Sequence, residues 1–167
     1  PYFIYKGIPL ILHSINNVKE LNKFDKIIAV INKKNKKFIK NLNIKNVKII
    51  FGGKNRAESS YKALMYEKNK NVSKVFIHDA ARPNFSLKLL KKLLVQLKKN
   101  ECVIPTLKSY DSTKLKHNKN IYNINRNYLH FVQTPQAFNY KSILSLQKNI
   151  TSKTTDDSSL FISAGKK

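Results

Sequence analysis

Asp79 and Arg82 stand three residues apart in KVFIHDAARP (Lys74–Pro83), just past the apolar run Val75, Phe76, Ile77. A carboxylate can hold a metal ion that neutralises phosphate charge, and a guanidinium can grip a phosphate through paired hydrogen bonds. Together they offer chemistry for a phosphorylated ligand. A short Asp-x-x-Arg pattern also describes a solvated strand end whose Asp and Arg simply pair. Two further polar clusters argue for more than that: GGKNRAESS (Gly52–Ser60) and TPQAF (Thr134–Phe138), each following a stretch that reads as a strand. Ligands bind beyond the carboxyl ends of the strands in an open α/β sheet, so three such loops at one edge describe a site.

Gly52 and Gly53 let a ligand approach the main chain closely. Asn55 is placed to cap a helix whose inner face carries Ser60, Ala63, Leu64 and Glu67, so that free amides and the positive end of the dipole point at the loop. Ser59, in the first turn, is set to hydrogen-bond a phosphate, a sugar or a base. In TPQAF, Thr134 offers a hydroxyl and Gln136 an amide. TTDDSS suggests Thr155 as a cap, with Asp156 and Asp157 in the first turn of a helix, where the dipole alone accounts for both carboxylates. His13, His117 and His130 lack metal-ligand spacing, and no Ser-His-Asp or Cys-His set is visible, so hydrolysis through a nucleophilic side chain finds no support.

The elements that must position these residues follow from periodicity. Lys6-Gly7 marks a turn, and Ile8, Leu10, Ile11, Ile15 and Val18 repeat at helical spacing with Pro9 in the first turn. DKIIAVIN (Asp25–Asn32) is a buried strand and Val47–Phe51 a second strand, joined by a lysine-rich, partly helical connection, the grammar of a parallel α/β sheet. Ser86 caps a helix whose Leu87, Leu90, Leu94 and Leu97 stripe is ordinary core, and ECVIP gives another strand. From Thr106 to Asn127 the chain turns polar, and two short alternating runs around a turn at His117–Asn120 predict a β-hairpin arm standing out from the body. Its apolar members Leu115, Ile121, Tyr122 and Ile124 suit a partner surface, and Arg126 closes it. LHFVQ leads as a strand into the Thr-Pro-Gln turn, and YKSILSLQKN is an amphipathic helix.

A chain of 167 residues, 41% hydrophobic, can bury a core as one domain without staples. No apolar run approaches the ~20 residues of a membrane span, and no secretory leader is visible. Cys102 reads as a small core residue in a reducing, cytoplasmic compartment. The net charge of +24, from 33 Lys and Arg against 9 Asp and Glu, raises nucleic-acid binding as a class. The lysines are spread along the chain among asparagines rather than clustered, so a specific nucleic-acid footprint is not expected. Steering of anionic phosphates is compatible with this charge.

With these residues assembled, the chain resembles the 2-C-methyl-D-erythritol 4-phosphate cytidylyltransferases of the non-mevalonate isoprenoid pathway. The resemblance is carried by GGKNRAESS, VFIHDAARP, DSTK, INRN, TPQAF and TTDDSS, in order, from Gly52 onward, with KGIPLILHSI similar to the family's first helix. It implies a doubly wound, mostly parallel, Rossmann-like nucleotide-binding sheet with a hairpin arm, about residues 106–127, that interlocks two subunits. It implies transfer of CMP from CTP to methylerythritol phosphate, with release of pyrophosphate and with Mg²⁺ as the metal.

Residue by residue, the resemblance assigns Gly53, Arg56, Ala57, Ser59, Asp79 and Ala80 to the nucleotide and Asp79 to the metal. Asp79, Arg82, Ser112, Arg126, Thr134 and Thr155 fall to the substrate, with Asp79 and Arg126 catalytic and the arm residues reaching a partner's site. The family's glycine-rich loop and its Asn-x-Lys strand would lie before Pro1 and after Lys167, so 1–167 reads as one cytidylyltransferase domain of a longer protein. A ribitol-5-phosphate cytidylyltransferase is the alternative within enzymes. A basic nucleic-acid-binding module without chemistry is the alternative outside them.

Overall fold

A computed structural model describes residues 1–40, 44–149, 154 and 156–166. The chain opens with a small hairpin, β1 (Ile4–Tyr5) and β2 (Ile8–Pro9), closed by Lys6 and Gly7, both at positive φ (47° and 81°). Two successive left-handed residues match the twist of a tight hairpin. Ile8 and Pro9 therefore pair with β1, and α1 (Leu10–Leu21) begins later than periodicity suggested, with Pro9 just outside it as the N-cap.

β3 (Ile27–Ile31), α2 (Lys36–Lys40) and β4 (Val47–Phe51) follow, and β3 and β4 pair in parallel as expected. Next come α3 (Arg56–Tyr66), β5 (Lys74–Ile77), α4 (Leu87–Gln96), β6 (Cys102–Val103) and β7 (Thr106–Lys108). The arm is β8 (Thr113–His117) against β9 (Asn120–Ile124), in antiparallel register with Leu115 opposite Tyr122. The chain ends its described course with β10 (His130–Val132), β11 (Gln136–Asn139), α5 (Tyr140–Leu146) and α6 (Ser159–Ser163).

β11 is the central strand of the ladder β5–β11–β6 and runs antiparallel to both neighbours, so β5 and β6 run parallel to each other across it. Among the described pairings, direct parallel pairing belongs to β3–β4, and the stretch expected as a turn after β10 supplies an interior strand. Alternation along this ladder separates two cores. Phe76, Ala137 and Val103 face Leu93 and Leu97 on one side. Val75, Ile77, Phe138 and Cys102 face Leu64, Ile143, Leu160 and Phe161 on the other. α4 thus covers one face and α3, α5 and α6 cover the opposite one, the double winding of the α/β class. α1 packs Ile11 and Ile15 on Ala29 of β3.

α1 also reaches the loop after β5. Ser14 Oγ donates to the Ala80 carbonyl (3.1 Å), and the Asn17 amide donates to the Pro83 carbonyl (2.8 Å). The loop that carries Asp79 and Arg82 is thereby fixed from below by a helix 66 residues earlier in the chain.

Candidate active site

The loop before α3 is built to hold Arg56 still. Asn55 caps the helix by accepting from the Glu58 amide (2.8 Å), and the Glu58 carboxylate reaches back to accept from the Lys54 amide (2.8 Å). That backbone donor holds the Glu58 carboxyl below its usual range. Ser59 Oγ donates to the Asn55 carbonyl (2.7 Å) and accepts from the Gly53 amide (3.0 Å). The packing is close enough that a Cβ on Gly53 would lie 2.4 Å from Glu58 side-chain atoms, which explains the glycine. The hydroxyl expected to meet a ligand is thus already engaged in bracing the loop.

Arg56, presented by this loop, bridges two carboxylates. Its Nε donates to Asp79 Oδ1 (3.0 Å) and its Nη1 to Asp157 Oδ2 (2.7 Å). Burial works against the guanidinium's charge, but Asp157 and Asp79 outweigh it, and Arg56 holds its proton more tightly than usual. Asp79 also faces Arg82, whose Nε lies 3.5 Å from Oδ2, and Arg82 Nη1 donates to Gln133 Oε1 (2.9 Å). The backbone amide of Arg82 donates to the Asp79 carbonyl (2.9 Å), closing the turn between them.

Thr134 meets this turn from the bend between β10 and β11. Its hydroxyl accepts from the Asp79 amide (3.3 Å) and lies 3.0 Å from His78 Nδ1. His78 packs edge-on against Phe85, and its burial disfavours the imidazolium strongly enough, despite Asp79 beside it, to lower its pKa to about 4. The ring is neutral at pH 7. Two guanidiniums flanking a partly exposed carboxylate at the end of β5 form a polar cradle suited to phosphates. Among the described residues no group of three or more His, Cys, Asp or Glu side chains could cage a metal. Of this set, the partly exposed Asp79 is the carboxylate that would hold a divalent cation, with phosphates and water supplying further oxygens.

The family model for IspD, 2-C-methyl-D-erythritol 4-phosphate cytidylyltransferase, matches residues 2–167. The chain belongs to this cytidylyltransferase family. It is 57% identical over 167 residues to the bifunctional enzyme IspD/IspF of Pelagibacter ubique, a match that covers 100% of this chain and 45% of that protein. It is 32% identical to the 2-C-methyl-D-erythritol 4-phosphate cytidylyltransferase of Clostridium beijerinckii, over 99% of this chain and 77% of the relative. The solved structure of 4-diphosphocytidyl-2C-methyl-D-erythritol synthase from Anaerococcus prevotii is similar at 29% identity with a TM-score of 0.86, over 99% of this chain and 76% of that one. The chain therefore spans less than half of the bifunctional relative and about three-quarters of the other two.

Of the residues that the cytidylyltransferase resemblance singled out, Gly53, Arg56, Ala57 and Ser59 lie together on the loop and first turn of α3. Arg56, Asp79, Arg82 and Thr134 are joined by the contacts above. Ala80 turns its side chain toward the α1–β3 core, leaving its backbone at the loop. Ser112 and Arg126 are exposed at the neck of the arm, where Arg126 Nη1 donates to the Tyr110 carbonyl (2.6 Å). Among the described residues, no hydrogen bond or ion pair connects them to Asp79. Thr155 lies outside the described residues.

Two expectations change. Gln136 is not a loop amide: it is fully buried in β11 opposite Ile77, because the strand starts directly after Pro135. Asp156 and Asp157 precede α6 rather than occupying its first turn. Ser158 is the N-cap residue, and Asp156 Oδ1 accepts from the first helical amide, that of Ser159 (2.9 Å), while Asp157 turns inward to 1% exposure. Asp157, Gln133, His78 and Gln147, which donates to Asp157 Oδ1 (3.1 Å), are site residues that the sequence reading missed. A hint for Asp157 was available in its setting: a second acid, followed closely by Leu160 and Phe161, in a chain with only nine acids.

Proposed function

We propose that the protein transfers CMP from CTP to the phosphate of 2-C-methyl-D-erythritol 4-phosphate, releasing pyrophosphate, in isoprenoid precursor synthesis. The observation that carries this reading is the Arg56–Asp79–Arg82 array at the carboxyl end of β5, in a chain matched by the family model from residue 2 to 167. That extent of match also supports one cytidylyltransferase domain across the chain. In this reading an oxygen of the substrate phosphate, already anionic near neutral pH, attacks the α-phosphorus in line. The new P–O bond forms as the bond to the β-phosphate oxygen breaks, and the electron pair leaves with pyrophosphate. No side chain has to take up a proton, so catalysis is positioning and neutralisation of charge.

Arg56, with Gly53, Ala57, Ser59 and Ala80 along its loop and the next, holds the nucleotide. Arg82 and Thr134 line the substrate side, to which the family resemblance also assigns Thr155. Asp79 would hold Mg²⁺, which when bound supplies positive charge to the phosphates. Arg126 orients the attacking phosphate with Ser112 beside it, each reaching the site of a second subunit in a homodimer. The arm supports that assembly: Leu115 and Tyr122 share one face and are about half exposed, beside an exposed Ile121 at the tip. No helix among the described residues is long and apolar enough to cross a membrane, and the lone Cys102 suits a cytoplasmic site of action.

The test is pyrophosphate release from CTP with Mg²⁺ by the full-length protein, with methylerythritol phosphate and ribitol phosphate compared as acceptors. Turnover with the first is expected. A clear preference for ribitol phosphate, or no turnover by folded full-length protein, would overturn the reading.

A further inference from the structure

Asp157 belongs to none of the three loops that phosphate chemistry called for, yet it is among the best-anchored polar groups of the site. It is 1% exposed, and both of its oxygens are engaged, Oδ2 by Arg56 Nη1 and Oδ1 by the Gln147 amide. Gln147 is itself 2% exposed. The turn that delivers Asp157 is pinned in addition: Asp156 Oδ1 accepts from Ser158 Oγ (2.6 Å) as well as from the Ser159 amide. A buried carboxylate is costly unless paired, so its partner is held firmly.

The other end of the same guanidinium is different. The Asp79 side chain is 31% exposed against 2% for Asp157, so water and ligand atoms can replace Arg56 on Asp79 but not on Asp157. Attraction between opposite charges also strengthens as the surroundings become less polar. Of the five N–H groups a guanidinium carries, these two pairs use two, and the Arg56 side chain remains 35% exposed. We propose that Asp157, backed by Gln147, is a positioning residue of the nucleotide site: it fixes the plane of Arg56. Arg56 then presents its remaining donors to the nucleotide and orients Asp79 without being drawn onto it. The inference rests on the cytidylyl-transfer reading above and assigns the Asp157 end of the network a role in it.

Full-length protein, its Asp157→Asn variant and an Asp156→Ala comparator separate this role from a structural one. CTP binding is measured calorimetrically in the absence of the second substrate, alongside KM for both substrates and the melting temperature. Asp157→Asn keeps the shape and the Gln147 contact while removing the charge. It is expected to weaken CTP binding about tenfold and to raise KM for CTP in proportion, with KM for the sugar-alcohol phosphate moved by less than about twofold. Asp156→Ala loosens the same turn without touching Arg56, so the melting temperature falls but CTP affinity shifts by less than about twofold.

Unchanged CTP affinity in Asp157→Asn, or equal weakening in both variants, overturns the positioning role. Should Asp157→Asn fail to fold, Gln147→Met decides: about threefold weaker CTP binding supports the role, and unchanged binding overturns it. A parent protein that binds no CTP overturns the cytidylyl-transfer reading and this inference with it. CTP binding by the parent that the variant leaves unaffected overturns this inference alone.

Discussion

The loop after β5 and the hairpin arm are held by different means. Asp79 is tied to Arg56, Thr134 and Arg82, and its loop is tied to α1, through partners 23, 55, 3 and 66 residues away. The arm is held by the β8–β9 ladder itself, whose partners lie within a dozen residues of one another. It presents Leu115, Ile121 and Tyr122 to solvent at 48–68% exposure. Long-range anchoring fixes a geometry and withstands a ligand's pull. A local two-stranded hairpin with exposed apolar faces is marginally stable by itself and gains when another surface covers them. One region is thus complete in a single chain, and the other has the features of half an interface.

The largest effect expected is at the anchored end. Asp79→Ala removes a carboxylate shared by two guanidiniums, and turnover should fall by more than about a thousandfold. Stability should change by less than about 1 kcal/mol, because both ion pairs are partly solvated. Parallel pyrophosphate-release and urea-unfolding measurements check the split, and retained turnover would detach Asp79 from the chemistry.

Next is Cys102, which lies in the core beneath the site. Burial, with Asp156 and Asp157 adding to it, pushes its thiol from 9.0 up to about 12. Folding keeps the proton on sulfur where the unfolded chain would release it. This contribution to stability is therefore intact below pH 9.0 and lost as pH rises toward about 12. At pH 8 the native thiol should react with iodoacetamide about a thousandfold more slowly than the unfolded chain, since the thiolate is the nucleophile. An Ile121→Cys substitution at the arm tip should react at the ordinary rate, and equal rates at the two positions would erase the contrast between the regions.

Truncating one isoleucine in the core of the body and one in the arm extends the same contrast. Ile143 is fully buried between α5 and the sheet, so Ile143→Ala should cost about 3 kcal/mol in urea unfolding. Ile121 is 68% exposed, and Ile121→Ala should cost less than about 0.5 kcal/mol in dilute, monomeric protein. A larger loss at Ile121 would mean that the arm is packed on its own body.

What could be read from the sequence follows the same division between local and distant. Asn55 and Ser86 cap their helices as their residue types suggest, and both hairpin turns fall where Lys6-Gly7 and His117–Asn120 placed them, because each is decided by a few neighbouring residues. The parallel β3–β4 pair followed from apolar runs separated by a helical connection. Gln136 was misread because Thr134-Pro135 looks like the end of a strand, whereas the residues after it begin the central strand of the ladder. Asp157 was misread because its partner Arg56 lies 101 residues away, and its local context offered the sufficient but wrong explanation of a helix dipole. Arg82 meeting Gln133, 51 residues on, was out of reach for the same reason.

The smallest effect bears on whether the two regions meet across subunits. Arg126 is exposed on the arm and makes no described contact with Asp79, so Arg126→Ala should leave the fold intact while lowering turnover about a hundredfold. If the arm serves the neighbouring subunit, mixing Arg126→Ala chains with Asp79→Ala chains restores one intact site in each mixed dimer. Random pairing makes half of the dimers mixed, and half of the sites in those are intact, so about a quarter of the parent activity should return. A structural defect in either variant could not be repaired this way. Recovery after mixing and re-equilibration would join the exposed arm to the anchored loop of another chain. No recovery, with dimers verified by sedimentation, would leave Arg126 acting within its own subunit and would require the arm to fold back onto its own Asp79.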